Sequence, residues 1–328
     1  MSLKPKRFGV LFCTGLMCFQ FTFFSEAGAQ TTRQNLEEIR KRGFAYLLEG
    51  NWELALTTFI NALTIEPRDT LSIYGNSLAL FNLKKFPEAA SNLDLAVEIL
   101  SKSKENNQLL ADSLVLSAII SAVQKENTLS ITKLQRALSL APNHFDANYS
   151  LGRAYFGNGE IDKAVNSFQR AVSIQPGNPQ ARFFLATSLE RAGKTAQALA
   201  EYQKVLELSP NNADGNLGLG VLLIKTEGDR SEEGLKAVQK AVAQDPNLYE
   251  AQIVLGKTLI HLNRVADAII HLQKAAELAP SNPEPHFHLA IAYRKLGRKA
   301  EAAAETEIVK AIHEKRRGAA NQRSQEEK

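Results

Sequence analysis

The sequence predicts an all-α solenoid, a tandem stack of antiparallel helix pairs, and two observations carry that prediction. Prolines Pro142, Pro176 and Pro210 stand 34 residues apart, and after a 36-residue step to Pro246 the 34-residue interval returns at Pro280. Counted back from each proline, small and large residues recur at fixed distances. From Pro176 the count meets Ala171, Phe168, Ala164, Tyr155, Gly152 and Leu151, and from Pro280 it meets Ala275, Leu272, Ala268, Leu259, Gly256 and Leu255. A period of this length marks one supersecondary unit that buries its apolar face only against its neighbours.

Each recurring residue has a physical task. Gly152 and Ala164 remove side-chain bulk where two antiparallel helices cross, while Tyr155 and Phe168 fill the space beside the crossing. Pro176 ends the second helix, because its ring clashes with the preceding turn and it has no N–H to donate.

The run Leu151-Gly152-Arg153-Ala154-Tyr155, followed by Ala164, Phe168, Ala171 and Pro176, resembles the tetratricopeptide repeat (TPR) family. That family's signature is Leu-Gly-x-x-Tyr on a first helix, Ala-x-x-x-Phe on a second, then a closing proline. The resemblance implies a right-handed superhelix whose first helices line a concave groove, and a protein that binds protein or peptide partners.

Taken in order, the chain opens with Lys4, Lys6 and Arg7, an apolar run over 8–24 and the small residues Ala27-Gly28-Ala29. This pattern predicts a secretory signal over 1–29, cleaved after Ala29, and hence an exported protein, periplasmic or secreted. The alternative is an anchor formed by residues 8–24, and only its retention would bring the protein to a membrane. Both cysteines, Cys13 and Cys18, fall in this segment, so the mature chain is expected to rely on helix packing without disulfides or thiolate metal sites.

A solenoid is expected over 30–316, with repeats at about 36–69, 70–108, 109–144, 145–178, 179–212, 213–248, 249–282 and 283–316. The first copy closes at Pro67 with Ala62, Phe59, Ala55, Tyr46 and Gly43 in register. In the second, Ser101 replaces the closing proline, with Ala96, Leu93, Ala89 and Leu80 in place. The third keeps Ala137 and Leu134 but puts Ser117, Ser121 and Ser130 where leucine, tyrosine and alanine are expected. The interval from Ser101 to Pro142 is 41 residues, so about seven extra residues lengthen a helix or loop near Ser101 to Gln108. A two-residue insertion lies near Lys225 to Ser231. The last copy matches through Leu289, Ala290, Tyr293 and Ala302, and a polar, disordered tail is expected over 317–328.

Chemistry is not expected from this chain. His286 and His288 stand two apart on one helix and point in different directions, and His261 and His271 fall in separate helices without a companion acidic cluster. Nucleophile elbows, phosphate-cradling glycine loops and paired-carboxylate signatures are missing, so the reading is of a protein that is not an enzyme and takes neither a cofactor nor a small-molecule substrate. The formal net charge of +4 gives no indication of nucleic acid.

The resemblance suggests which residues face the groove. One column runs Tyr74, Val115, Tyr149, Phe183, Leu217, Ile253 and Phe287, and a second, four residues later, runs Leu78, Ile119, Arg153, Thr187, Val221, Lys257 and Ile291. The candidate partner-binding residues are Tyr74, Tyr149, Arg153, Phe183, Arg191, Lys257, Phe287 and Arg294. Apolar side chains free of packing duty favour a peptide or helix ligand, and the cations suit acidic residues or a free carboxylate. The alternative for the aromatic column is packing between stacked first helices, and for the cations a solvated helix face. The expected function is an exported scaffold or adaptor supporting assembly of an envelope complex, with an accessory repeat protein tethering an enzyme to its substrate as the alternative.

Overall fold

A computed structural model describes residues 33–103, 106–228 and 231–326, with side chains as far as Gly318. The signal segment over 1–29, its apolar run and both cysteines lie outside the described residues. The chain divides into two compact units, residues up to Ala154 and residues from Tyr155 onward. Among the described residues every regular element is a helix.

The first unit holds α1 (33–48), α2 (Trp52–Ile65), α3 (Thr70–Asn82), α4 (Phe86–Ser103), α5 (Asn107–Val123), α6 (Asn127–Leu140) and the start of α7 (Phe145–Gly157). The second holds the end of α7 and then α8 (Ile161–Ile174), α9 (Pro179–Arg191), α10 (Thr195–Leu208), α11 (Ala213–Glu227) and α12 (Glu232–Gln244). It closes with α13 (Tyr249–His261), α14 (Val265–Leu278), α15 (Pro283–Lys295) and α16 (Lys299–Glu326). Odd-numbered helices are the first of each pair and even-numbered helices the second. Pro67 and Pro176 each stand two residues beyond the second helix of their pair, as their missing N–H requires.

The recurring small and large positions make the core. Phe59, Leu93, Leu134, Phe168, Tyr202, Val238 and Leu272 are all buried, one to each second helix from α2 to α14. Four residues earlier, Ala55, Ala89, Ser130, Ala164, Ala198, Gly234 and Ala268 are buried too, so a compact residue marks the crossing in each of these pairs. Consecutive helices pack in sequence from α2 to α6 and from α8 to α16, and three pairs of first helices also touch: α3 meets α5, α9 meets α11, and α13 meets α15.

Turns and caps follow local chemistry. Between the first and second helix of a pair the chain passes through the left-handed region at Gly50, Gly159, Gly193 and Gly297, with φ near +75°. Lys84, Lys125 and Asn263 take the same conformation with φ of 60°, 66° and 61°, carrying a Cβ where the other turns have none. Two residues after the closing prolines, Asp69, Asn178, Asn212 and Asn282 accept hydrogen bonds from backbone N–H groups of the next first helix. At α7 that position is His144, whose Nδ1 accepts from Ala147 N–H at 3.3 Å. The ring's Nε2 therefore carries the proton and donates to Asp112 Oδ1 at 2.7 Å, joining the start of α7 to α5.

One alternative that the sequence left open is decided, and two features differ from expectation. The seven extra residues do not make a loop: α4 has 18 residues and α5 has 17, against 14 and 13 in α8 and α9, so each helix gains about one turn. The polar stretch expected to be disordered from 317 continues α16 to Glu326, since Arg, Ala, Gln and Glu favour helix and no proline stops it. The serines at apolar positions are buried, and Lys133 Nζ donates to Ser117 Oγ at 2.8 Å and to Ser121 Oγ at 3.1 Å. A hydrogen-bonded cluster thus stands where packing was expected.

Candidate functional site

The faces made by first helices carry the candidate residues. In the first unit, α3, α5 and the segment entering α7 enclose an open cavity of about 270 Å³. Tyr74, Leu78 and Phe81 from α3, with Val115, Leu116 and Ile119 from α5, give it an apolar wall. Asn82, Asp112, His144 and Asp146 form its polar edge. Burial, and then the charges of Asp112 and Asp146, hold the Tyr74 phenol protonated well above the usual tyrosine range. Leu78 and Asn82 also line a second apolar cavity of about 380 Å³ with Phe44, Leu47, Leu48 and Trp52.

Tyr149 is half-buried and stacks on Phe145 at 5.8 Å, while Arg153, one turn further along α7, is exposed. Tyr74 therefore lines a cavity, and Arg153 lies beyond its wall.

In the second unit the candidate aromatics divide. Phe183 is a packing residue, with its ring 5.7 Å from Phe184 and 6.0 Å from Tyr202. Phe287 on α15 is 51% exposed and touches only the ring of His288 among the aromatic neighbours described. Val115 and Ile253, from the same sequence column, are buried at 4%, so that column is not uniformly free of packing duty. One-residue differences in helix rotation between pairs, which spacing cannot show, decide which members turn inward.

The cations are partly engaged. Lys257 Nζ lies 3.2 Å from Glu284 Oε1 across α13 and α15. The Arg191 guanidinium stacks over the Phe156 ring at 4.6 Å. Arg294 Nε donates to Ala290 O at 3.1 Å, and its neighbour Lys295 donates to Ile260 O at 3.4 Å. Burial, and then Lys257, push His288 below the usual imidazole range, keeping it neutral beside this basic surface. His271 is pushed down by burial and bonds Gln252 at 2.8 Å, and His286 pairs with Glu305 at 2.6 Å.

Among the described residues no three His, Cys, Asp or Glu side chains gather as a metal site would need, and no helix is long and apolar enough to cross a membrane. The arrangement offers apolar hollows edged by charge, a geometry for holding side chains.

Family models support what the packing suggests. Residues 124–179 match a model described as tetratricopeptide repeat, and residues 191–226 and 256–297 match one described as TPR repeat. Over those segments the chain carries tetratricopeptide repeats. Solved structures agree on the fold of these repeats. PilF of Pseudomonas aeruginosa aligns with a TM-score of 0.59 at 18% identity, over 68% of this chain and 97% of that one. The C-terminal part of a TPR repeat-containing protein from Cytophaga hutchinsonii aligns at 0.58 and 14% identity, over 76% of this chain and 99% of that one. YrrB, described as a TPR protein with an unusual peptide-binding site, aligns at 0.50 and 22% identity, over 59% of this chain and 95% of that one. Identities this low speak for the all-α TPR-type solenoid fold alone. No curated protein matches the sequence.

The Asp and Asn caps two residues past four of the closing prolines, and the polar edge of the first unit's cavity, are not among the sequence expectations. The caps had a signal, since Asp or Asn follows Pro67, Pro176, Pro210 and Pro280 at that spacing.

Proposed function

We propose that the chain is an exported scaffold or adaptor whose first-helix faces hold peptide segments of protein partners, in support of an envelope complex. The observation that carries the binding is Phe287, a phenylalanine half exposed on a first helix that also carries Arg294, and one turn from Glu284, the ion-pair partner of Lys257: it offers a partner apolar area to bury next to charge. Tetratricopeptide repeats act by presenting such surfaces, and YrrB, of the same fold, is described as having a peptide-binding site. Export rests on the sequence pattern of residues 1–29.

A photocrosslinking residue in place of Phe287, activated in intact cells, tests the reading together with N-terminal sequencing of the same material. The expected result is crosslinks to envelope proteins and a mature start at Gln30. A lone enzyme as the captured protein would move the assignment to a tether. An intact N-terminus would move it to an anchored protein.

A further inference from the structure

The two units do not present the same charge on their first-helix faces. In the second unit the first helices α13 and α15 carry Lys257, Arg294 and Lys295, with Glu284 offsetting the first of them. In the first unit the cavity between α3, α5 and α7 is edged by two aspartates and lined by no lysine or arginine. The cations expected from sequence to favour an acidic ligand therefore do not describe this cavity.

Its polar groups retain unused capacity. Asp112 accepts from His144 and from Gln108 Nε2, both at Oδ1, so Oδ2 has no hydrogen-bond donor among the described residues. Among the described residues the Asp146 carboxylate, exposed in the first turn of α7, has neither a hydrogen bond nor an ion pair, and the Tyr74 hydroxyl has no hydrogen-bond partner. A phenol hydroxyl and two carboxylates bordering an apolar hollow form a site for a donor-rich cation attached to something apolar. An acidic segment would meet repulsion from both aspartates.

We infer that this cavity takes a lysine- or arginine-bearing peptide segment, seating an apolar side chain against Tyr74, Leu78 and Ile119 and its neighbouring cation against Asp112 and Asp146. The inference rests on the peptide-binding reading above and adds the sign of the charge that the first unit selects.

The test is fluorescence anisotropy on the full chain with two labelled peptides, one carrying Lys-Leu-Phe-Lys and the other its charge-reversed counterpart Glu-Leu-Phe-Glu. The expected outcome is that Asp146→Lys weakens the lysine peptide by about fivefold or more, an effect that shrinks as salt screens it. Leu78→Ser is expected to weaken the same peptide, and Lys257→Glu to leave it unchanged. Circular dichroism shows whether each variant keeps its helicity, and the exposed Asp146 is chosen because its replacement leaves packing intact. If the glutamate peptide alone binds, and is lost on Lys257→Glu, the inference is overturned while peptide binding stands. If the lysine peptide binds equally well to Asp146→Lys, the inference is overturned. If neither peptide binds, both readings fail.

Discussion

Phe59 of α2 fills the space that Gly75 of α3 leaves open: a Cβ at Gly75 would lie 2.3 Å from Phe59 Cζ. Gly43 of α1 stands on the other side of the same ring, where a Cβ would come within 2.7 Å. The ring is thus held between two glycines on successive first helices, and Tyr202 repeats half of the arrangement against Gly218, at 2.4 Å. Gly75→Ala should therefore overpack the contact and cost roughly 1–3 kcal/mol. Urea denaturation measures it, and the double variant with Phe59→Leu should recover part of the loss. An unchanged urea midpoint for Gly75→Ala would show that the ring has room to move.

The contrast between Gly43 and Gly75 shows what sequence could carry. Gly43 belongs to a column whose small residue is demanded in nearly every copy, so counting back from proline finds it. Gly75 belongs to a column that varies with its partner: Gly218 faces Tyr202, but Phe184 stacks on Phe168 at 5.6 Å. Complementarity between two variable positions leaves no period to read. The charged edge of the first unit's cavity was hidden for a related reason. Asp112 lies just after the seven-residue insertion, where the spacing breaks, and only folding brings it beside Tyr74 and Asp146. Phe183 and Phe287 occupy the same column and have different surroundings, which a single helix face cannot distinguish.

The left-handed turns offer a gain in stability. Lys84 and Lys125 hold the conformation that Gly159 and Gly193 hold elsewhere, and each bears a Cβ strained against the following carbonyl. Lys84→Gly and Lys125→Gly should each stabilise the chain by about 0.5–1 kcal/mol, the relief of strain exceeding the added freedom of the unfolded chain. Gly193→Ala should lose a comparable amount. Thermal unfolding of the three variants checks the sign, and destabilisation by both lysine replacements would mean that their side chains contribute packing that outweighs the backbone.

Ser72 occupies the fifth position after a closing proline, where the later copies have Ala147, Ala181 and Ala251. It is fully buried, and its Oγ has no hydrogen-bond partner among the described residues. An unpaired buried hydroxyl carries its desolvation cost without return, so Ser72→Ala should stabilise by roughly 1 kcal/mol. Denaturant titration should show a raised midpoint with an unchanged slope. A lowered midpoint would show that the hydroxyl has found a bound water.

The dependence of stability on pH follows from the tyrosines and histidines. Tyr74 and Tyr202 are held protonated above the usual range chiefly by burial, and Tyr249 is pushed up to about 12 by burial and then by Glu284. Unfolding frees these phenols to ionise near their ordinary value of about 10, so above that pH the unfolded chain binds fewer protons and stability falls as pH rises. His271 and His288 have the opposite effect: burial lowers both, so the unfolded chain binds more protons below about 6.5, and stability falls as pH drops. Urea midpoints across pH should form a plateau between these limits and decline on both sides. Replacing His271 and His288 by glutamine should flatten the acid side alone, because neither glutamine takes up a proton and the tyrosines that set the alkaline side remain. An acid decline of the same steepness in that double variant would assign it to the carboxylates.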